Sequence, residues 1–207
     1  MVQSLDHIQT ALTGLVIPVA IPVGVRPMVT LVQFSEIVAV NPELRLELTA
    51  TGELIVMAPA GSESGNRNLS LSGQLYIWTA QHEDLGHGFD SSAGFRLPSG
   101  AVRSPDAAWV ERWRWQALTA QERQGFAPLC PDFVAELRSE TDSLSVLQTK
   151  MQEYLQNGAK LGLLLDPQRR VAEIYRSGRA VEILEQPSRI SLSEVMPGFE
   201  LSLEGIF

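Results

Sequence analysis

A mixed α/β or α+β sandwich, a sheet flanked by helices, is the fold class this chain predicts, and three features carry that reading. A strand-rich first half leads to "DFVAEL", where Phe133, Ala135 and Leu137 alternate with Val134, Glu136 and Arg138. Next comes "SETDSLSVLQTKMQEYLQNGAK", in which Leu144, Leu147, Met151, Tyr154 and Leu155 recur at helical spacing and Gly158 supplies the stop. "KLGLLLDP" then reads as a strand buried on both faces, so residues 132–166 form a strand, helix and strand expected to cross over right-handedly between parallel strands.

The remaining elements follow in chain order. Residues 11–25, "ALTGLVIPVAIPVGV", are apolar but too short to span a bilayer, and Pro18 and Pro22 interrupt them. Residues 1–27 are therefore expected to be a loosely ordered extension before a single domain over residues 28–207. Thr30 is a capping residue for a short helix at about 31–40, where Leu31, Phe34, Ile37 and Val38 share a face and Pro42 helps to end the run. "LRLELT" and "ELIVMAP" flank the turn "ATG" as a hairpin, with Glu47 expected on the face opposite Leu44, Leu46 and Leu48. In "GSESGNRNLSLSGQLYIWTAQHE", Leu71, Leu75 and Trp78 mark a second helix behind a glycine-rich entry.

From there to residue 110 the sequence predicts two strands, "GFDSSAGFRL" and "VRSPDAAWV", joined at "PSG". "ERWRWQALTAQERQGF" reads as short helical turns carrying Trp113 and Trp115. "RVAEIYRSG" and "AVEILEQ" make a closing hairpin around Ser177 and Gly178, and the chain ends in a turn and a last short strand.

Composition narrows the function without naming it. At 207 residues and 44% hydrophobic, the chain can bury one core. Its single cysteine, Cys130, makes no internal disulfide, and no Cys/His group has zinc spacing, which suits a reducing compartment. With no recognisable secretory leader either, the expected location is the cytoplasm. A net charge of −8 argues against a broad, tight nucleic-acid footprint, which needs Lys and Arg to replace counterions, but is compatible with a local basic cleft.

The informative feature is the placing of acids in apolar runs. Asp106 in "AVRSPDAAWV" and Glu136 in "PDFVAELRSE" each cost free energy as ions unless something compensates them. Two carboxylates on neighbouring strands can hold a hard divalent cation, with waters and phosphate oxygens completing its shell. A cation from Arg138 or Lys150 would orient water or stabilise developing charge. By the 100° advance per residue, Lys150 lies about a quarter turn from the centre of its helix's apolar stripe, so it borders the buried face. Each residue also has a plainer reading. Asp106 after Pro105 suits a turn, Glu136 and Arg138 suit an exposed ion pair, Lys150 suits a helix-edge lysine lying over Tyr154, and Glu47 suits the outward half of an amphipathic strand.

"SPDAAWV", "PDFVAELRS", "LQTKMQEYLQNGAKLGLLLDP" and "VAEIYR", in that order, resemble the Uma-two-type restriction endonuclease family, a domain of unknown function within the PD-(D/E)XK nuclease superfamily. The likeness runs from "FSEIVAVNPELRLELTATGELIVMAPAG" to "MPGFELSL". It implies a restriction-endonuclease-like core with a metal-dependent phosphodiesterase site, using Mg²⁺ or Mn²⁺. Asp106 matches the acid of the "PD" element, Glu136 the acid of (D/E)XK, and Glu47 the acid of an early strand, which makes it a further candidate metal ligand. Arg138 occupies the lysine position of E-x-K, and arginine is a poor substitute for a titratable ammonium. By the resemblance, either Lys150 on the following helix or Arg138 itself would take that role, and in the nuclease reading Lys150 orients water while Arg138 touches phosphate.

The resulting expectation is a metal-dependent DNA endonuclease, with DNA bound weakly by the isolated chain and a homodimer combining two clefts. The alternative is a catalytically inactive nuclease fold kept as a binding or assembly module. Other residues have simpler roles. His82 and His87 suit a solvated helix end, and Ser62, Ser64 and Asn66 suit a helix entry, with phosphate binding the sharper alternative. Trp113 and Trp115 suit a lid or subunit contact, with base stacking as the alternative.

Overall fold

The computed structural model describes residues 26–207, so most of the expected N-terminal extension lies outside the described residues. Twelve strands and five helices follow in order among them. Helix α1 (Leu31–Val40) starts at Thr30, whose side chain accepts from the Gln33 amide while the Gln33 side chain accepts from the Thr30 amide, a reciprocal capping box. Strands β1 (Arg45–Leu48) and β2 (Leu54–Met57) form the expected hairpin. Helix α2 (Ser62–Gln81) is followed by β3 (Gly86–Asp90), β4 (Phe95–Arg96), β5 (Val102–Arg103) and β6 (Ala107–Glu111).

Short helices α3 (Arg112–Gln116) and α4 (Ala120–Gln124) lead to β7 (Phe133–Leu137), α5 (Leu144–Gln156) and β8 (Leu161–Asp166). Strands β9 (Val171–Arg176), β10 (Glu182–Glu185), β11 (Arg189–Ser191) and β12 (Glu200–Ser202) complete the chain.

A six-stranded sheet, ordered β10-β9-β8-β7-β6-β3, forms the centre. Only β7 and β8 are parallel within it, as the α5 crossover requires. Two-residue alternation sorts its side chains between two layers. Ala107, Trp109, Phe133 and Ala135 pack with Leu71, Leu75 and Trp78 of α2. Ala108, Val110, Val134 and Leu164 pack with Met151 and Tyr154 of α5. The α5 layer approaches closely at Gly162, where a Cβ would lie 2.4 Å from the Met151 Cε. Position 136 shares the parity of 134 and therefore faces α5.

Two sequence expectations need correction. "GFDSSAGFRL" and "VRSPDAAWV" are four strands rather than two, and they divide between sheets. Strands β3 and β6 join the central sheet, whereas β4 and β5 join a four-stranded sheet ordered β2-β1-β5-β4. Pro105, which has no N–H to offer a ladder, stands at the second break. At the first, Asp90 Oδ1 accepts from the Ser92 amide at 3.0 Å and turns the chain. The C-terminal end holds two strands where one was expected, because β11 is too short for its periodicity to show. Among the described residues no helix is long and apolar enough to cross a membrane.

Candidate active site

The site forms where the two larger sheets meet beneath α5. Strand β6 pairs with β7 through Ala107 opposite Ala135, so Asp106, just before β6, comes beside Glu136. The ladder continues through the Asp106 side chain, whose Oδ2 accepts from the Leu137 amide at 2.8 Å. Glu47 reaches the same place from β1 of the other sheet and is 3% exposed. The expectation that it is simply the outward half of an amphipathic strand therefore fails, because the four-stranded sheet turns that face toward α5.

Helix α5 supplies the bridge between the sheets. Lys150 Nζ lies 2.9 Å from Glu47 Oε1 and 2.9 Å from Glu136 Oε1. One turn later, the Tyr154 hydroxyl donates to Glu136 Oε1 at 2.9 Å. Glu47 Oε1 also accepts from the Ser104 amide at 2.8 Å, and its Oε2 meets Arg103 Nη1 at 3.0 Å. Arg103 Nε continues the network to Glu153 Oε2 at 2.6 Å. Three carboxylates, Glu47, Glu136 and Glu153, thus share two cations, Lys150 and Arg103, and a fourth, Asp106, receives neither directly.

The protonation preferences follow from this imbalance. Burial pushes Glu136 up to about 7 against the pull of Lys150, and the carboxylates of Asp106 and Glu47 add to the rise. Asp106 is also raised by burial, although the Leu137 amide and the charges of Lys150 and Arg45 oppose it. For Glu47 burial is the largest influence and acts upward, yet Lys150, Arg103 and the Ser104 amide together outweigh it and hold the carboxyl low. Burial pulls the Lys150 ammonium down, but Glu136 and Glu47 overcome it and keep the group protonated. The Tyr154 phenol is raised well above its usual range, first by burial and then by Glu136.

Of the residues singled out from the sequence, Asp106, Glu136, Glu47 and Lys150 converge, and Arg138 is held elsewhere. Its Nη1 pairs with Asp166 Oδ2 at 2.8 Å and its Nε donates to the Asp142 carbonyl at 3.2 Å. That geometry commits the guanidinium to the loop after β7 and gives no support to a phosphate contact. Glu47, with both oxygens taken up by Lys150, Arg103 and Ser104, does not join Asp106 and Glu136 in a ligand set. Among the described residues no three His, Cys, Asp or Glu side chains gather as a metal cluster. Asp106 and Glu136 alone still fit a hard cation, because Mg²⁺ is commonly held through one or two carboxylates with water and phosphate oxygens.

Arg103 and Tyr154 were missed from the sequence. Arg103 lies three residues before Asp106 in an otherwise apolar run, and Tyr154 stands four residues after Lys150 on one helix face, spacings that carry the signal. Neither His82 nor His87 takes part. His82 stacks on Trp78 with Nδ1 2.8 Å from the Trp78 carbonyl oxygen, and His87 packs by Trp115. Trp113 lies beyond the end of β6 opposite to Asp106, too far along the strand to stack on a base held at these carboxylates.

The Uma2 family model, described as "Putative restriction endonuclease", matches residues 31–204. A crystal structure of a "putative nuclease belonging to DUF820" from Anabaena variabilis is similar in fold, with a TM-score of 0.71 at 17% identity. The likeness covers 86% of this chain and 97% of that one. No curated protein matches the chain.

Proposed function

The chain belongs to the Uma2 family of restriction-endonuclease-like proteins, and from that premise we propose that it is a divalent-metal-dependent endonuclease of DNA. The observation that carries the reading is the pair Asp106 and Glu136, set side by side just before β6 and on β7 in a site where carboxylates outnumber cations. Asp106 and Glu136 would hold Mg²⁺ or Mn²⁺. When bound, the cation would supply Lewis acidity toward a phosphoryl oxygen and acidify water.

The chain's own residues do the rest. Lys150 has three N–H donors, and Glu47 and Glu136 account for two of them, which leaves one for a phosphate oxygen or an attacking water. Glu47, backed by Arg103, keeps that ammonium charged and aimed. Tyr154 donates to one Glu136 oxygen, leaving the other oxygen as acceptor. Lys150 therefore serves in place of the E-x-K lysine that Arg138 replaces. Its position favours an active enzyme over an inactive module. An acidic chain would grip a duplex weakly, and a homodimer offering two sites to one duplex is part of this reading.

Calorimetric titration with Mn²⁺ tests it, using the wild type beside Asp106→Asn and followed by cleavage assays on single-stranded and duplex DNA. The expected result is saturable binding that the variant loses, together with Mn²⁺-dependent cleavage. No binding even with duplex DNA present would overturn the reading in favour of the inactive module.

A further inference from the structure

Helix α2 buries one face, through Leu71, Leu75 and Trp78, and leaves large apolar side chains on the other. Leu69 is 70% exposed, Tyr76 72% and Ile77 59%. With Gly65, Gly73 and Ala80 they fall within an arc of about 120° by the 100° advance per residue. A surface helix ordinarily turns charge toward water. This one carries only Glu63 and Arg67, which pair with each other at 3.1 Å, and residues 68–81 are uncharged.

The glycines point the same way. Glycine weakens a helix relative to alanine, so one inside a helix ordinarily answers a close approach. At Gly65 and Gly73 an added Cβ would meet nothing within 4 Å. Nothing in the chain's own packing calls for glycine there.

We propose that this face is the contact between two copies of the chain, with the α2 helices crossing antiparallel about a two-fold axis at Gly73. Two observations select a second copy as the occupant. Each chain has a formal charge of −8, so two copies repel except through a neutral surface, and the outer face of α2 is one. The pattern is also self-complementary: Leu69 and Ile77 lie four residues either side of Gly73, so a two-fold axis there sets Leu69 of each copy on Ile77 of the other. The bare glycines let the helices come close, and the flanking side chains fill the space on each side.

The contact deepens the dimer in the proposed function, because Ser72, the neighbour of Gly73, lies with its hydroxyl 3.5 Å from the Asp106 carbonyl oxygen. The site carboxylates face α5, across the sheet from α2, so the two sites of such a dimer would open away from the contact.

Light scattering on the full chain tests the contact without requiring metal or activity, so it succeeds or fails independently of the nuclease reading. The wild type is expected at twice 22.7 kDa, and Leu69→Glu and Gly73→Glu at 22.7 kDa with unchanged circular dichroism. Gly73→Cys should give a disulfide-linked dimer on mild oxidation, whereas a cysteine at exposed Val146 on α5 should not; the native Cys130 is buried. A wild type that stays at 22.7 kDa at every concentration overturns the proposal and leaves the face to another partner. Dimers that persist in both Glu variants, or a Gly73→Cys chain that fails to cross-link, overturn it as well.

Discussion

Two Pro-Asp dipeptides enter the central sheet, Pro105-Asp106 before β6 and Pro131-Asp132 before β7. Because β6 and β7 are antiparallel, the two carboxylates lie at opposite ends of one strand pair. Asp132 is surrounded by donors: the Glu111 amide at 2.9 Å, Arg114 Nη1 at 2.9 Å and Lys160 Nζ at 3.2 Å. Lys160 also holds Glu111 at 2.7 Å, so two cations serve two acids and the group is closed. Asp106 has a single backbone donor and shares its surroundings with Glu136 and Glu47. A buried acid matched by cations is an internal fastening, whereas buried acids in excess leave room for a cation from outside.

That contrast breaks if the two aspartates behave alike when altered. The largest effect is expected on cleavage: Glu136→Gln and Asp106→Asn should each lower the rate by about a hundredfold or more, the scale of losing a group that acts on developing charge. Asp132→Asn should leave the folded protein active and instead cost about 3 kcal/mol in urea denaturation, the low end for a broken buried pair because Lys160 is half-exposed. Asp106→Asn should cost far less, since burial already disfavours its charge.

Lys150→Met separates binding from chemistry. Cleavage should fall by about a hundredfold while Mn²⁺ affinity, measured by calorimetry, is kept or increased, because Glu136 loses a competing cation.

The pH dependence is a smaller effect with a definite sign. Glu136 binds its proton more tightly folded, at about 7, than at the ordinary carboxyl value of 4.5. In that window the folded state holds more protons than the unfolded one, so this residue makes metal-free stability fall as pH rises from 4.5 to 7. Thermal melts across this range should flatten in Glu136→Gln and on saturation with Mg²⁺. Smallest of all, Arg138→Ala should cost about 1 kcal/mol through the Asp166 pair and change cleavage by no more than a few-fold.

The sequence carried the site better than it carried the sheets. Asp106 and Glu136 stood out because a carboxylate in an apolar run is conspicuous, and Lys150 because its helix angle set it at the edge of a clear stripe. Glu47 looked like the polar half of an alternating strand, since nothing local reveals that a second sheet will cover that face. Arg138 looked like a partner for Glu136 two residues away, but Asp166 at the end of β8, brought near only by the parallel crossover, claims it. Tyr154 was read as core, which it is, and its hydroxyl's reach to Glu136 depends on how α5 lies across β7. Strands β4 and β5, two residues each, are too short for periodicity to separate them from their neighbours.

The break at Pro105 has one more consequence. Val102 and Arg103 belong to one sheet, Ala107 begins its strand in the other, and the residues between give Glu47 an amide from Ser104 and give the β7 end a carboxylate from Asp106. Every acid of the site is therefore present in a chain still being synthesised, but the site itself exists only once both sheets have docked and α5 has closed over them. A nascent or half-unfolded copy would hold the acids of the candidate site without the arrangement that brings them together.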